Sequence, residues 1–179
     1  MNKETFIKDL TDILVEKHIL TSARAQDLQR AYATSAIEEY DEFLLEEGLV
    51  APEDMLTALS HYYKVPSFDV SDYFFDTFYL HKFPKDFLVR NAVIPLEREE
   101  NILMVVAAEP ERPGLASAMR NFVSYDIRFL VGIRLDIIDA VREFYDKAVT
   151  QVPEDEDVRE EHLESQRANE IMDPDDDED

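Results

Sequence analysis

The chain writes one short pattern twice. Asp12-Ile13-Leu14-Val15-Glu16-Lys17-His18-Ile19-Leu20 returns as Glu42-Phe43-Leu44-Leu45-Glu46-Glu47-Gly48-Leu49-Val50. At a constant offset of 30, acidic residues coincide at 12/42 and 16/46, and apolar residues at 13/43, 14/44, 15/45, 19/49 and 20/50. Repetition at fixed spacing marks a repeated supersecondary unit. Two copies are too few for a solenoid, so the pattern predicts a pair of stacked helical hairpins.

Apolar spacing supplies the helices. Phe6, Ile7, Leu10, Ile13 and Leu14 recur at three- and four-residue intervals and predict a helix over 4–17. His18 then stands where the second copy has Gly48, just past a helix end, where a left-handed residue is common. Thr21 or Ser22 can cap a second helix over 22–36. A third is expected over 37–47, ended by Gly48, and a fourth over 52–63, with Pro52 in its first turn and Val65-Pro66 as its stop.

Beyond residue 66 the texture changes. Ser67 to Val70 is short and extended, Tyr73 to Phe87 is rich in aromatics, and a short helix is expected from Pro84. Residues 92–98 and 102–107 read as a hairpin pair joined at Glu99-Glu100-Asn101. A helix over 115–122, a strand over 126–131 and a helix over 135–147 complete the order. Helices followed by β-β-α-β-α predict an α+β protein: tandem helical hairpins over 1–65, then, over 66–149, a three- to four-stranded sheet with two or three helices.

Charge sets the remaining segment apart. Residues 151–179 hold 14 acidic and 2 basic residues, a net of −12, which leaves 27 and 16, or −11, for residues 1–150. Such a segment buries too little apolar surface to offset its ordering entropy, so residues 150–179 are expected to be a disordered acidic tail. It reads as a solubilising tail or as a tether for a basic partner. The overall charge of −23 opposes nucleic acid and anionic lipid. No apolar run reaches the roughly 18 residues of a membrane span, and the N-terminus lacks a signal-peptide pattern. Without cysteine there is no disulfide frame or thiolate metal site. A cytoplasmic location is expected.

Catalytic and metal patterns are missing. The histidines 18, 61, 81 and 162 form no ligand-spaced pair. None of Gly48, Gly114 and Gly132 precedes a lysine, so no P-loop exists. No Gly-x-Ser-x-Gly elbow occurs. The expectation is a non-enzyme with no metal and no cofactor. The aromatic stretch has two readings: a linker packed between the helical and sheet layers, which is favoured, or a docking groove. An exposed subset would decide between them.

One resemblance joins these pieces. Phe43-Leu-Leu-Glu-Glu-Gly-Leu-Val-Ala-Pro-Glu-Asp-Met55, Leu59, Val65-Pro-Ser-Phe-Asp-Val70, Val93-Ile-Pro-Leu-Glu-Arg98, Ile102-Leu-Met-Val-Val-Ala-Ala-Glu-Pro110 and Val141-Arg-Glu-Phe-Tyr145 together resemble the N-terminal domain of type II secretion and type IV pilus assembly ATPases. The resemblance covers roughly residues 5–147 and implies an α+β docking domain that attaches a motor to the cytoplasmic part of a platform protein. Some members bind cyclic di-GMP through two tandem motifs, each opening Arg-Leu-Gly and closing near a Gln. Here the openings are Asp9-Leu10-Thr11 and Glu39-Tyr40-Asp41, and the closing positions fall on Tyr32 and Tyr62. A carboxylate replaces each arginine, where it would repel a phosphate. Cyclic di-GMP is therefore not expected to bind, although a receptor with a degenerate motif is the rival reading. The chain reads as a stand-alone adaptor without the motor, docking to a platform protein or the ATPase at the inner membrane face. Glu46, Glu47, Tyr62, Tyr73, Phe74, Phe78 and Tyr79 are its candidate partner-binding residues.

Overall fold

The structure, a computed structural model, describes residues 3–150. The expectation for the acidic tail lies outside the described residues, as does His162. Residues through Lys147 form one compact unit.

Four helices come first: α1 (Lys3–Glu16), α2 (Ser22–Ala33), α3 (Tyr40–Glu46) and α4 (Pro52–Tyr63). The repeated phrase becomes a repeated helix end. After α1 the Ile19 and Leu20 amides both donate to the Leu14 carbonyl, at 2.9 and 3.1 Å. After α3 the Leu49 and Val50 amides do the same to Leu44, at 3.0 and 3.2 Å. His18 (φ 59°) and Gly48 (φ 64°) make the same left-handed turn. Glycine enters that region freely, whereas histidine does so against its Cβ. Leu14 and Leu44 are wholly buried below their respective turns.

The second helices start and stop close to expectation. The Thr21 hydroxyl accepts from the Arg24 amide at 3.3 Å and caps α2. Pro52 opens α4, which ends at left-handed Lys64. Two expected boundaries are wrong. Instead of running to residue 36, α2 stops at Ala33, and α3 begins at Tyr40 instead of 37. Residues 35–39 have other partners: the Ile37 amide donates to Ser35 Oγ at 3.0 Å, and the Glu38 carbonyl accepts from both the Tyr32 hydroxyl and the Lys3 ammonium. Short polar side chains offer the backbone such alternatives to the helix.

The two hairpins interlock. Phe6 of α1 meets Tyr62 of α4 edge-on at 5.0 Å, and Tyr40 and Phe43 of α3 meet Tyr32 of α2 at 5.1 and 5.5 Å. The first helix of each copy thus packs against the second helix of the other.

The sheet half contains α5 (Thr77–Leu80), α6 (Lys85–Asn91), β1 (Val93–Glu99), β2 (Ile102–Ala107), α7 (Leu115–Arg120), β3 (Asp126–Val131) and α8 (Arg134–Thr150). Four helices stand where two or three were expected. The addition is single-turn α5, inside the aromatic stretch. Helix α7 ends at Arg120, short of 122. The strand order is β1-β2-β3, with β1 antiparallel and β3 parallel to β2. Pro95 lacks a donor and lies on edge strand β1, beside a register shift between Pro95 and Glu97. On the opposite edge, Phe68 donates to the Val131 carbonyl and Val131 to the Pro66 carbonyl, both at 2.9 Å, so residues 66–68 extend the sheet as a rudimentary fourth strand.

Two hydrophobic cores result. The sheet core gathers Phe75, Phe83, Leu103, Val105 and Ile137. The helical core gathers Leu14, Leu44, Met55 and Leu59, and takes in Val131 and Ile133 from the end of β3. There Gly132 permits a close approach that any Cβ would block, since the added atom would stand 2.6 Å from Val106 Cγ1.

Candidate functional site

Two surfaces can carry function: the face of the interlocked hairpins and the aromatic segment before the sheet.

The hairpin face holds the opening and closing positions of the two copies. Their geometry is reciprocal. Asp9, the opening position of copy one, lies close enough to Tyr62, the closing position of copy two, to help raise its phenol pKa; burial of the ring is the larger cause. Glu38, next to the opening residue Glu39 of copy two, accepts from the Tyr32 hydroxyl, the closing position of copy one. Each arm therefore ends on the other copy. This face presents carboxylates where an anion's partner would need to be cationic.

The third position of each opening carries the most information. These residues, Thr11 and Asp41, are the buried polar side chains among the described residues. Thr11 is fully used: it donates to the Ile7 carbonyl at 2.6 Å, meets the Tyr40 hydroxyl at 2.9 Å and accepts from Gln29 at 3.2 Å. Asp41 lines a groove of about 220 Å³ with Lys3, Glu39, Tyr63, Glu109 and Arg134. Burial pushes its carboxyl pKa up, and the Arg134 guanidinium opposes this without overcoming it. Arg134 itself bonds Glu109, and its Nε is buried without a partner. Burial lowers the Arg134 pKa, but Glu109, Asp41 and Glu39 outweigh it. Burial also drives the Tyr63 phenol well above its usual range. Glycine at these two positions would leave open backbone; here side chains occupy the space.

The raised Asp41 pKa has a measurable consequence. The folded carboxyl binds its proton more tightly than the unfolded one. Its stabilising contribution is therefore fully present below the unfolded carboxyl range, about pH 4, and is lost as pH rises through the folded-state value. Glu42 shifts in the same direction, again through burial first. Melting temperature is expected to rise as pH falls from 7 toward 5. Asp41→Asn, which keeps the shape without the charge, is expected to flatten that slope and raise the midpoint at pH 7 by roughly 2–4 °C, equivalent to about 1 kcal/mol. Thermal melts of both proteins across that range provide the check.

The aromatic segment divides into an inside and an outside. Phe75 and Phe83 are fully buried under the sheet, and Tyr73 wedges between Phe68 and Phe75 at 5.3 and 4.9 Å. Phe74 is 83% exposed and Phe78 is 57% exposed. Phe74 leans on Phe144 of α8 at 5.6 Å, and Phe78 lies between Tyr79 at 5.2 Å and the Lys82 ammonium at 4.3 Å. The segment packs onto the sheet core and presents an exposed subset as well. Glu46 and Glu47 are exposed at the end of α3, and Tyr62 is half-buried against Phe6 and Tyr63. Tyr73, Phe74, Phe78 and Tyr79 share one segment by sequence, with Tyr73 and Phe74 packed on Phe68, Phe75 and Phe144 and Phe78 packed on Tyr79 and Lys82. Glu46, Glu47 and Tyr62 belong to the helical half and do not join them. Sequence reasoning missed Asp41 and Arg134; an acidic residue at a glycine position of a repeat was the available signal for Asp41, and Arg134 had none.

Among the described residues, no group of three His, Cys, Asp or Glu side chains could hold a metal ion, and no helix is long and apolar enough to cross a membrane.

Paired helical hairpins ahead of a small mixed sheet agree with the α+β fold that the resemblance implied. The MshEN domain family model matches residues 63–151. The fold is similar to that in a solved structure of MshE with cdg, at 20% identity and a TM-score of 0.60, covering 76% of this chain and 98% of that one. It is also similar to the N-terminal domain of XpsE, at 20% identity and a TM-score of 0.54, covering 81% and 97%. No curated protein matches the sequence.

Proposed function

We propose that this chain is a non-catalytic docking module of a type II secretion or type IV pilus machine, gripping the cytoplasmic domain of a platform protein or the assembly ATPase at the inner membrane face. The observation that carries this reading is the outward presentation of Phe74 and Phe78 on a segment whose neighbouring rings are locked in the core. Aromatic anchors on rigid backbone give up little entropy on binding and dominate interface energetics. The solvated acids Glu46 and Glu47 supply a second, weaker surface suited to steering a basic partner.

The test is direct. The immobilised chain is expected to capture the cytoplasmic domain of a platform protein or an assembly ATPase from the same organism, and Phe74→Ala/Phe78→Ala is expected to lose that capture. Retention of binding by the double variant would remove the aromatic surface from the account.

The structure of MshE with cdg raises the rival reading of a nucleotide receptor. Three features of this chain oppose it. Carboxylates stand at both opening positions, Thr11 and Asp41 fill the positions where open backbone would be needed, and the Tyr32 hydroxyl is engaged by Glu38. Calorimetry with cyclic di-GMP is expected to show no saturable heat. Saturable binding displaced by an unlabelled linear guanine dinucleotide would favour the receptor instead.

A further inference from the structure

Acidic residues outnumber basic ones by 41 to 18 in this sequence, so a cleft lined by cations with no acid stands out. Such a cleft of about 300 Å³ lies between the turn after α5 and the end of α7. Its lining includes Lys82, Arg120, Asn121, Phe122, Ser124 and Tyr125. Lys82 lies over the Phe78 ring at 4.3 Å. Phe122 is 40% exposed, and its inner edge rests on Phe83 at 5.7 Å and Phe87 at 5.1 Å, so the ring is held in place from below.

From this juxtaposition we infer that the cleft receives an acidic linear segment of a partner protein, with carboxylates on Lys82 and Arg120 and an apolar side chain on Phe122. The inference rests on the docking reading above and adds the chemistry of the partner. A guanidinium and an ammonium across a short cleft suit two carboxylates spaced along an extended peptide. The supported phenylalanine face gives one apolar residue of that peptide a place to leave water. A basic peptide would meet two like charges here and, although the chain's overall −23 would attract it, would find no carboxylate in the cleft. The global charge and the local charge have opposite signs, so an acidic ligand must bind close in, past a repulsive far field. Salt screens both, the far field within about 10 Å at 0.1 M.

The probe is a fluorescein-labelled peptide, Asp-Glu-Phe-Asp-Glu-Leu-Asp, titrated into isotopically labelled full-length chain. Expected is saturable binding with amide shifts gathered at residue 82 and residues 120–125. Lys82→Glu/Arg120→Glu is expected to weaken binding at least roughly tenfold, since like charges face to face are strongly unfavourable. The neutral pair Lys82→Gln/Arg120→Gln is expected to give an intermediate loss with an unchanged melting temperature. Absence of binding, shifts elsewhere, or equal affinity for the peptide with lysine in place of each acid would overturn the inference. So would binding to phosphatidylglycerol vesicles with the same Lys82 and Arg120 dependence, which would assign the cleft to a lipid surface. If the charge-reversed chain still captures its protein partner while Phe74→Ala/Phe78→Ala does not, the docking module stands and the acidic-segment inference alone falls.

Discussion

Leu44→Ala is expected to cost about 3 kcal/mol of folding stability, and Leu14→Ala about the same. Both leucines are wholly buried in the helical core. Truncating a buried leucine loses its transfer free energy and leaves a cavity, for a total of about 2–5 kcal/mol. The position adds a second reason. Each leucine is the pivot of its helix end, and its carbonyl accepts two amides from the turn that follows. Because the hairpins interlock, a cavity under one turn also loosens the packing of the other copy. The two variants are therefore expected to be nearly equal in cost and non-additive when combined, as neighbouring sites in one core usually are. Urea unfolding of the two singles and the double gives the coupling directly. Additive costs would show that the two leucine sites are not coupled through the shared core.

Much of this architecture was legible from residue spacing. Strand β3 and helix α4 have the expected bounds because alternation in Asp126–Val131 and the Pro52 start are local signals. The left-handed turn at His18 was readable only by analogy with Gly48, since histidine does not announce such a turn. The misjudged ends of α2 and α3 have a local cause in Ser35 and Tyr32 and a non-local one as well, since the Glu38 carbonyl is also held by Lys3, far away in sequence. The same holds for the site. A carboxylate at a repeat's third position is visible at Asp41, but the groove around it is assembled by Glu109 and Arg134 from the sheet half. No periodicity connects those residues. The exposed aromatics needed the structure for a further reason. In Tyr73-Phe74-Phe75 every residue is aromatic, so hydropathy cannot say which ring turns inward.

That division within the aromatic segment yields the sharpest functional contrast. Phe83→Ala is expected to cost about 3–5 kcal/mol of stability, because Phe83 is buried, stacks on Phe87 and meets Phe122 edge-on. Phe74→Ala and Phe78→Ala are expected to leave stability within about 0.5 kcal/mol, as substitutions away from packed features do. Their effect falls on association instead. An aromatic anchor at the centre of an interface is worth about 2 kcal/mol or more, which is roughly thirtyfold in Kd. The two properties therefore separate along ten residues of chain: inward rings govern the melt, and outward rings govern the partner. Thermal melts and binding isotherms on the same three variants measure both. If Phe74→Ala and Phe78→Ala lower the melting temperature as Phe83→Ala does, these rings are part of the packed linker, and the docking surface must be sought elsewhere.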